Sequence, residues 1–498
     1  MGQAPQLLST QMHLVLTKWA NKLGPMYRVR LANKTLIVLT DPDLVLPLLG
    51  SGPSALPKAA FAMDGTLDVG HTIPNTYGIF STHDFRSEFH RTSRKVLAPA
   101  FSMNQQRKIT LPATSSAARA MCDAWAVSLA ERGSLSLEVR DALQLTMLDT
   151  VLRSTFDLTL SKDQLIMFME SMNPSLEEVT LRTTNPLRQI VYDWLPFLPW
   201  SLRLKAIFVN SINLWHMVWE HVRARGPYPE DNHSVSAGLA RGPYPDDDHS
   251  VSYPDDDHSV SAGLWRLWAQ HGQEERHVVA HTSAFVLGGH ETTASTVAWA
   301  LYDIACNPDV QARIVDELRS EGLLSTAATP GRPLVWSDYS PGLPYLDIVL
   351  KESFRLHSVA ASTSAIRETD KDVDIGGYHV PRGTGVWMPI LSLHTAEHLW
   401  DEPLAFKPER WTEKEGEGGI SAKAAAAFMP FGTGPRNCIA QNQAKVQTKV
   451  FLVELLRSFR FSVDPAMGGL EEVHKRQRVE LTLGVEGGIH LELRHHEK

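Results

Sequence analysis

Apolar and polar positions along the chain alternate mostly with a helical period. AARAMCDAWAVSLAERG (117–133) and ALQLTMLDTVLRSTF (142–156) carry apolar residues at i, i+3 and i+4, and most of Ser87 to about Arg225 shares this pattern. WLPFLPW (194–200) interrupts this stretch with two prolines in an almost wholly apolar loop, and SLRLKAIFVNSINLWHMVWEHVRAR resumes it. A long apolar helix is predicted over 277–307, an amphipathic one from Pro308 to Gly322, and others over 343–358 and about 439–458. Strands are predicted at 26–31 and 35–40 around Ala32-Asn33-Lys34, and over 373–391, with turns at Gly376-Gly377 and Pro381-Arg382-Gly383. The tail, 459–494, reads as strands. No strand–helix alternation runs through the chain, so the fold class is mainly α with small β-sheets, not a doubly wound sheet.

Composition changes this picture in one place. The 498 residues are 43% hydrophobic and 21% charged, as in globular proteins, with a net charge of −8. Residues 226–263 hold eight acids and one arginine, a balance of −7, which leaves −1 for the rest of the chain. YPDDDHSVS occurs there at 244–252 and again at 253–261, with an imperfect copy, YPEDNHSVS, at 228–236. Five prolines and few large apolar groups predict an acidic, disordered repeat insertion within one large domain, 1–498. A solvated insert is favoured over a hard-metal site at Asp246, Asp248 and His249. The acidic balance disfavours nucleic acid as a partner. Three cysteines (Cys122, Cys306, Cys438) give no disulfide framework and suggest a reducing compartment. No apolar run is long enough to span a bilayer.

Three constellations carry candidate chemistry. In Phe431-Gly432-Thr433-Gly434-Pro435-Arg436-Asn437-Cys438, a glycine-rich loop delivers one cysteine to a helix N-terminus, where the dipole and backbone N–H groups favour a thiolate. The flat loop lets a planar group lie against Phe431 and Gly432, and Arg436 can reach an anionic edge of it. That suits a thiolate ligand to haem iron. In Gly288-Gly289-His290-Glu291-Thr292-Thr293, an acid and an alcohol interrupt an apolar helix, a costly arrangement unless it is used. Glu291 and Thr292 are candidate catalytic groups for relaying protons. Glu352 and Arg355, three apart, share a helix face amid apolar neighbours, and Arg410 in Phe406-Lys407-Pro408-Glu409-Arg410-Trp411 is placed to join them in a buried structural network.

In this order the motifs resemble those of the cytochrome P450 superfamily, haem-thiolate monooxygenases of eukaryotic type, over nearly the whole chain. The resemblance implies one domain with haem b buried between the notch helix and the cysteine helix. Cys438 would be the axial iron ligand, and Arg436, Arg94 and His90 would bind haem propionates, with Arg367 a further candidate. His90 stands where many members have tryptophan, Ala440 where glycine comes after the cysteine, Trp411 where phenylalanine is usual (a change of shape only), and Ser358 where proline often is. The implied reaction inserts one atom of O2 into a small lipophilic substrate. Its electrons come from NAD(P)H through a NADPH-dependent reductase or a ferredoxin. Arg91, Arg94, Lys95, Lys445 and Lys449 would form the basic docking face. The alternatives are a haem-thiolate isomerase or dehydratase acting on a peroxide, and an inactive haem-binding protein. Substrate-lining residues are expected at about 60–85, on the helix before Gly288, at 359–365 and near 483–487. The segment Trp194–Trp200 falls where the family's loop between two helices dips into a bilayer, so the protein is expected to be membrane-associated, at the endoplasmic reticulum or in a plastid. The chain starts about where the catalytic domain of eukaryotic members should, as a partial sequence or one with another targeting signal would. The style around the notch and the cysteine is similar to the branch with fatty-acid ω-hydroxylases and carotenoid hydroxylases.

Overall fold

The structure is a computed structural model that describes residues 4–7, 9–31, 34–59, 78–80, 82, 84–184, 197–225, 257–324, 331–339, 342–360, 365–414 and 418–496. The helices that matter here are α1 (Met12–Leu23), α2 (Pro42–Leu49), α3 (Glu88–Leu97), α4 (Leu111–Arg132), α5 (Val139–Phe156), α6 (Lys162–Thr184), α7 (Pro199–Ala224), α8 (Val260–Ala269), α9 (Glu275–Cys306), α10 (Pro308–Ser320), α11 (Pro344–Leu356), α12 (Ile390–Thr395), α13 (Gln441–Ser458) and α14 (Leu470–Lys475).

Helix α9 is the axis of the molecule. It is apolar almost all round, so it can only be stable in the interior, and Val278, Val286, Val297, Ala300, Leu301 and Ile304 are fully buried. Helix α5 runs along it, and α13 packs on both α9 and α4. The approach of α5 and α9 depends on Gly289, where an added Cβ would meet a Val151 methyl at 2.9 Å. These four helices enclose the largest core cluster, with Trp299, Phe451 and Phe459 at its centre. Helix starts obey local chemistry: Asp41, Ser87 and Ser259 each accept a backbone N–H in the first turn of α2, α3 and α8.

The sheets are small. One has the order β1 (Met26–Leu31), β2 (Lys34–Leu39), β7 (Gly385–Trp387), β4 (Ile366–Glu368), with only β2 and β7 parallel. A second joins β3 (Leu135–Glu138), β11 (His490–His495) and β8 (Phe459–Val463). Two hairpins remain: β5 (Val373–Ile375) with β6 (Tyr378–Val380), turning at positive-φ Gly376 and Gly377, and β9 (Gln477–Val479) with β10 (Leu483–Val485). The mainly α class with small sheets is what the periodicity predicts.

Two expectations change. The acidic repeat does not run to residue 263: Val260, Ser261, Ala262 and Gly263 form the buried first turn of α8, which packs on α3 and α9. Residues 226–256, with Asp246, Asp248 and His249, lie outside the described residues. The tail also holds a helix, α14, between its strands. Among the described residues, no helix is long and apolar enough to cross a membrane.

Candidate active site

The cysteine loop is folded by its own backbone. The Cys438 N–H donates to the Phe431 carbonyl at 2.8 Å, and Gly432 and Gly434 take φ of 69° and 70°. Gly434 has no room for a side chain, since a Cβ there would sit 2.0 Å from the Leu49 carbonyl oxygen of α2. Cys438 is set deep among protein atoms, and burial pushes its thiol up against the opposing pull of the Ala440 N–H, Arg94 and Lys445. It is nevertheless exposed.

The Glu352 network buttresses that loop. Arg355 grips Glu352 through two bonds, Nη2 to Oε1 at 2.7 Å and Nε to Oε2 at 3.0 Å. Arg410 Nε adds a third at 3.0 Å, and all three residues are buried, as expected of a structural network. Trp411 is more than a change of shape, because its indole N–H donates to Glu352 Oε2 at 3.0 Å. Arg355 also donates to the His394 carbonyl at 2.9 Å, and the His394 ring accepts the Met429 N–H at 3.0 Å, just ahead of the loop. The His394 imidazole is pushed down to about 3 by burial first, then by Arg355, so it stays a neutral acceptor.

A cluster of cations stands beside the loop. Arg436 donates to the carbonyls of Ile79 (3.2 Å), Phe80 (3.1 Å) and Thr82 (2.5 Å). Arg94 donates to the Asn437 carbonyl at 2.9 Å and to its side-chain oxygen. Arg367, in β4, is buried and faces Lys58 across an antiparallel bridge. Like charges placed opposite each other are destabilising. Burial, then Arg367 and Arg94, depress Arg436 to about 9. Burial depresses Arg367 to about 10, and burial together with Arg436 and Arg367 drives Lys58 well down. His90 is buried and neutral, pushed down to about 4 by burial and then by Arg436 and Arg94. Among the described residues, Asp84 is the carboxylate that offsets Arg436, and it already bonds Arg86. Four cations that disfavour one another and share one engaged carboxylate fit a multiply charged anion, as the two propionates of haem are. The sequence motifs had named Arg94, Arg436, Arg367 and His90; Lys58 belongs to no motif and joins only through the sheet.

The segment carrying those carbonyls is pinned to α9. The Ile79 N–H donates to His281 Nδ1 at 2.9 Å, so the ring proton sits on Nε2 and reaches Gln273 Oε1 at 3.0 Å.

Helix α9 packs on α13, the helix that follows the cysteine loop. Its buried surface is broken at Ala284, Gly288, Thr292 and Thr296, a strip with a spacing of four. A Cβ on Gly288 would meet nothing within 4 Å, so this glycine fronts open space while Gly289 serves packing. Thr292 Oγ1 donates back to the Gly288 carbonyl at 2.5 Å. Glu291 turns the other way: it accepts from Gln144 Nε2 at 2.8 Å and Thr482 Oγ1 at 3.0 Å, with Arg140 at 3.9 Å. The acid and the alcohol therefore share a turn but point to different neighbours.

The basic docking face needs one correction. Lys449 is buried, held by the Tyr339 carbonyl at 2.9 Å and Asp347 at 2.7 Å, and cannot face a partner. Arg91, Lys95 and Lys351 are exposed and Lys445 half-buried; Lys351 was not among the sequence candidates. Of the segment 194–200, Phe197 to Trp200 are described, and Phe197 is 68% exposed; Trp194 to Pro196 lie outside the described residues, as do 60–77 and 361–364 of the expected substrate lining.

Comparison with known proteins bears on the family. The family model described as Cytochrome P450 matches residues 1–218 and 266–483, on either side of the repeat. The chain is 35% identical over 189 residues to cytochrome P450 3A19 of Capra hircus aegagrus, covering 38% of this chain and 81% of that protein. It is 36% identical over 184 residues to cytochrome P450 3A12 of Canis lupus familiaris, and 37% over 182 residues to cytochrome P450 3A13 of Mus musculus. Those matches cover 37% and 36% of this chain and only 34% of either relative's length. The 3A names lend no support to the branch of fatty-acid and carotenoid hydroxylases, nor to a plastid. With the family model matched on both sides of the acidic repeat, over most of the sequence, the chain belongs to the cytochrome P450 family.

Proposed function

We propose that this chain inserts one atom of O2 into a small lipophilic substrate, using electrons from a redox partner. The observation that carries the reading is Cys438 standing beside Arg94 and the Arg94–Arg367–Arg436–Lys58 cluster. Haem b, when bound, supplies the activation of dioxygen. The chain's own groups do the rest. Cys438 would hold the iron, with the Ala440 N–H tempering the sulfur's charge. Arg436, Arg94, Arg367, Lys58 and His90 would hold the propionates, while Phe431 and Gly432 shape the near side of the plane. Gly288 leaves room for oxygen and substrate, and Thr292 holds a hydroxyl proton at the open face of α9. Glu291 supplies protons toward that face.

The surfaces suit the partners. Arg91, Lys95, Lys351 and Lys445 near the cysteine would dock an acidic reductase or ferredoxin. Exposed Phe197 (68%), Leu202 (54%) and Val209 (42%) at the start of α7 support a monotopic contact with a membrane, the endoplasmic reticulum in this reading. Turnover decides the class: with a reductase and a lipophilic substrate, NADPH and O2 should be consumed in step with hydroxylated or epoxidised product. Rearrangement of an organic peroxide without NADPH, or haem binding with no turnover, would rule the reading out.

A further inference from the structure

The groups around Glu291 do more than hold it still. Its Oε1 accepts the Thr482 hydroxyl at 3.0 Å, and Thr482 Oγ1 lies 3.0 Å from Ser295 Oγ. Thr482 has one proton and spends it on the carboxylate, so Ser295 must be the donor to Thr482. The direction Ser295 to Thr482 to Glu291 is thereby fixed. Ser295 and Thr482 are both buried, but Ser295 also lines a narrow crevice of about 10 Å³, the room of a single water. Glu138 and Arg140 are the charged residues of its lining, which is otherwise mostly apolar, with Ala298, Trp299, Leu483 and Ile489 among it. The Arg140 side chain is 25% exposed, so the crevice meets solvent there.

The charges facing the acid are few. From α5 come Arg140 and the neutral Gln144, and from the β9–β10 hairpin Thr482, with Glu480 near Arg140. On α9 itself, His290 is kept neutral by burial. Against the cost of burial, Glu291, Glu138, Asp141 and Glu480 together hold the Arg140 guanidinium charged.

Resting on the monooxygenase reading, we propose that Ser295 and Thr482 are a two-hydroxyl proton wire that recharges Glu291 from this crevice. Ser295 passes its proton to Thr482 Oγ1 as Thr482 passes its own to Glu291 Oε1. A proton from bulk solvent, passed on by water in the crevice, then restores the one lost from Ser295, so that water is left unchanged, each hydroxyl gives one proton and takes one, and no electrons move. Rotation of the protonated Glu291 side chain then presents the proton on the Thr292 side of the helix.

The test uses the haem-loaded full chain with Thr482→Val, Ser295→Ala, the double variant and Thr482→Ser. The first readout needs no turnover: the carboxylate stretch of Glu291 in infrared difference spectra, assigned by its loss in Glu291→Gln. Thr482→Val removes a donor and should shift that band. Ser295→Ala should shift it the same way without touching Glu291, because it unpolarises Thr482. The second readout is the share of NADPH electrons lost as hydrogen peroxide. Each single variant should raise it on the order of tenfold at equal haem content, less than the roughly 10²–10⁴-fold that a positioned acid itself contributes, because Glu291 remains in place. The double variant should be no worse than either single one, and Thr482→Ser should restore the wild-type share. A band unmoved by Ser295→Ala, or an unchanged peroxide share in either single variant, overturns the wire. If the wild type shows no NADPH turnover, the functional reading fails, and the infrared comparison still decides whether the hydroxyl chain exists.

Discussion

At the scale of single residues, buried charge and buried histidine set the predictions. Among the described residues, Glu352 is the carboxylate that bonds both Arg355 and Arg410, so Glu352→Ala leaves two guanidiniums facing each other without it. Breaking a buried pair in this way costs about 3–5 kcal/mol, which a lowered urea midpoint would show. His281 makes a pH prediction. Its ring is depressed from 6.5 to about 3 by burial, then by His277 and His90. Between those values the unfolded chain binds a proton that the folded chain does not. Stability therefore falls as pH drops below 6.5, by about 1.4 kcal/mol per unit for one such ring. His281→Gln, which keeps a donor and an acceptor without titrating, should flatten the dependence of the urea midpoint on pH. At this scale the sequence was legible where a motif names the residue: Cys438, Arg436, Glu352 and Arg355 stand in local patterns. Lys58, Gln144, Thr482 and Lys351 belong to none. They reach the site through a sheet bridge, a helix pairing, a hairpin and a neighbouring helix, which one-dimensional spacing does not encode.

At the scale of elements, the long helices were readable because their apolar period is strong. Helix α8 was not, because its first turn copies the acidic repeat: SVSAGL occurs at 234–239 and again at 259–264. The two copies differ in the residues on their C-terminal side. At 265–268 WRLW supplies apolar bulk for the core, whereas the upstream copy runs into ARGP at 240–243. The last copy is thus drawn into the fold by its C-terminal neighbours, with Ser259 as its cap. Gly263 tests this directly, since a Cβ there would meet a Leu97 methyl at 3.0 Å. Gly263→Leu should destabilise by about 1–3 kcal/mol through overpacking, seen as a lower thermal midpoint. A neutral result would mean that 260–263 does not pack on α3.

At the scale of the molecule, the net charge of −8 misdescribes the body that does the chemistry. Nearly all of it belongs to residues 226–263, and the family model stops at 218 and resumes at 266. The site lies on α3, α9, α13, the cysteine loop and β4, none of which the repeat interrupts. Replacing 226–256 by a short Gly-Ser linker should leave haem content and thermal midpoint unchanged, whereas deleting through residue 263 should lower both by removing the first turn of α8. The ordered run of motifs made the family and the single haem domain legible. The boundary of the insertion was not, because composition reports acidity and says nothing of which copy finds a core to join.

The central claim is that Cys438 is a thiolate ligand held in a cleft built for haem. The most direct measurement is the carbon monoxide difference spectrum of the reduced, haem-loaded chain, compared with Cys438→Ser. The account predicts the strongly red-shifted Soret band of thiolate ligation in the wild type and its loss in the variant. A band that survives in Cys438→Ser, or a wild-type spectrum typical of histidine-ligated haem, would contradict it.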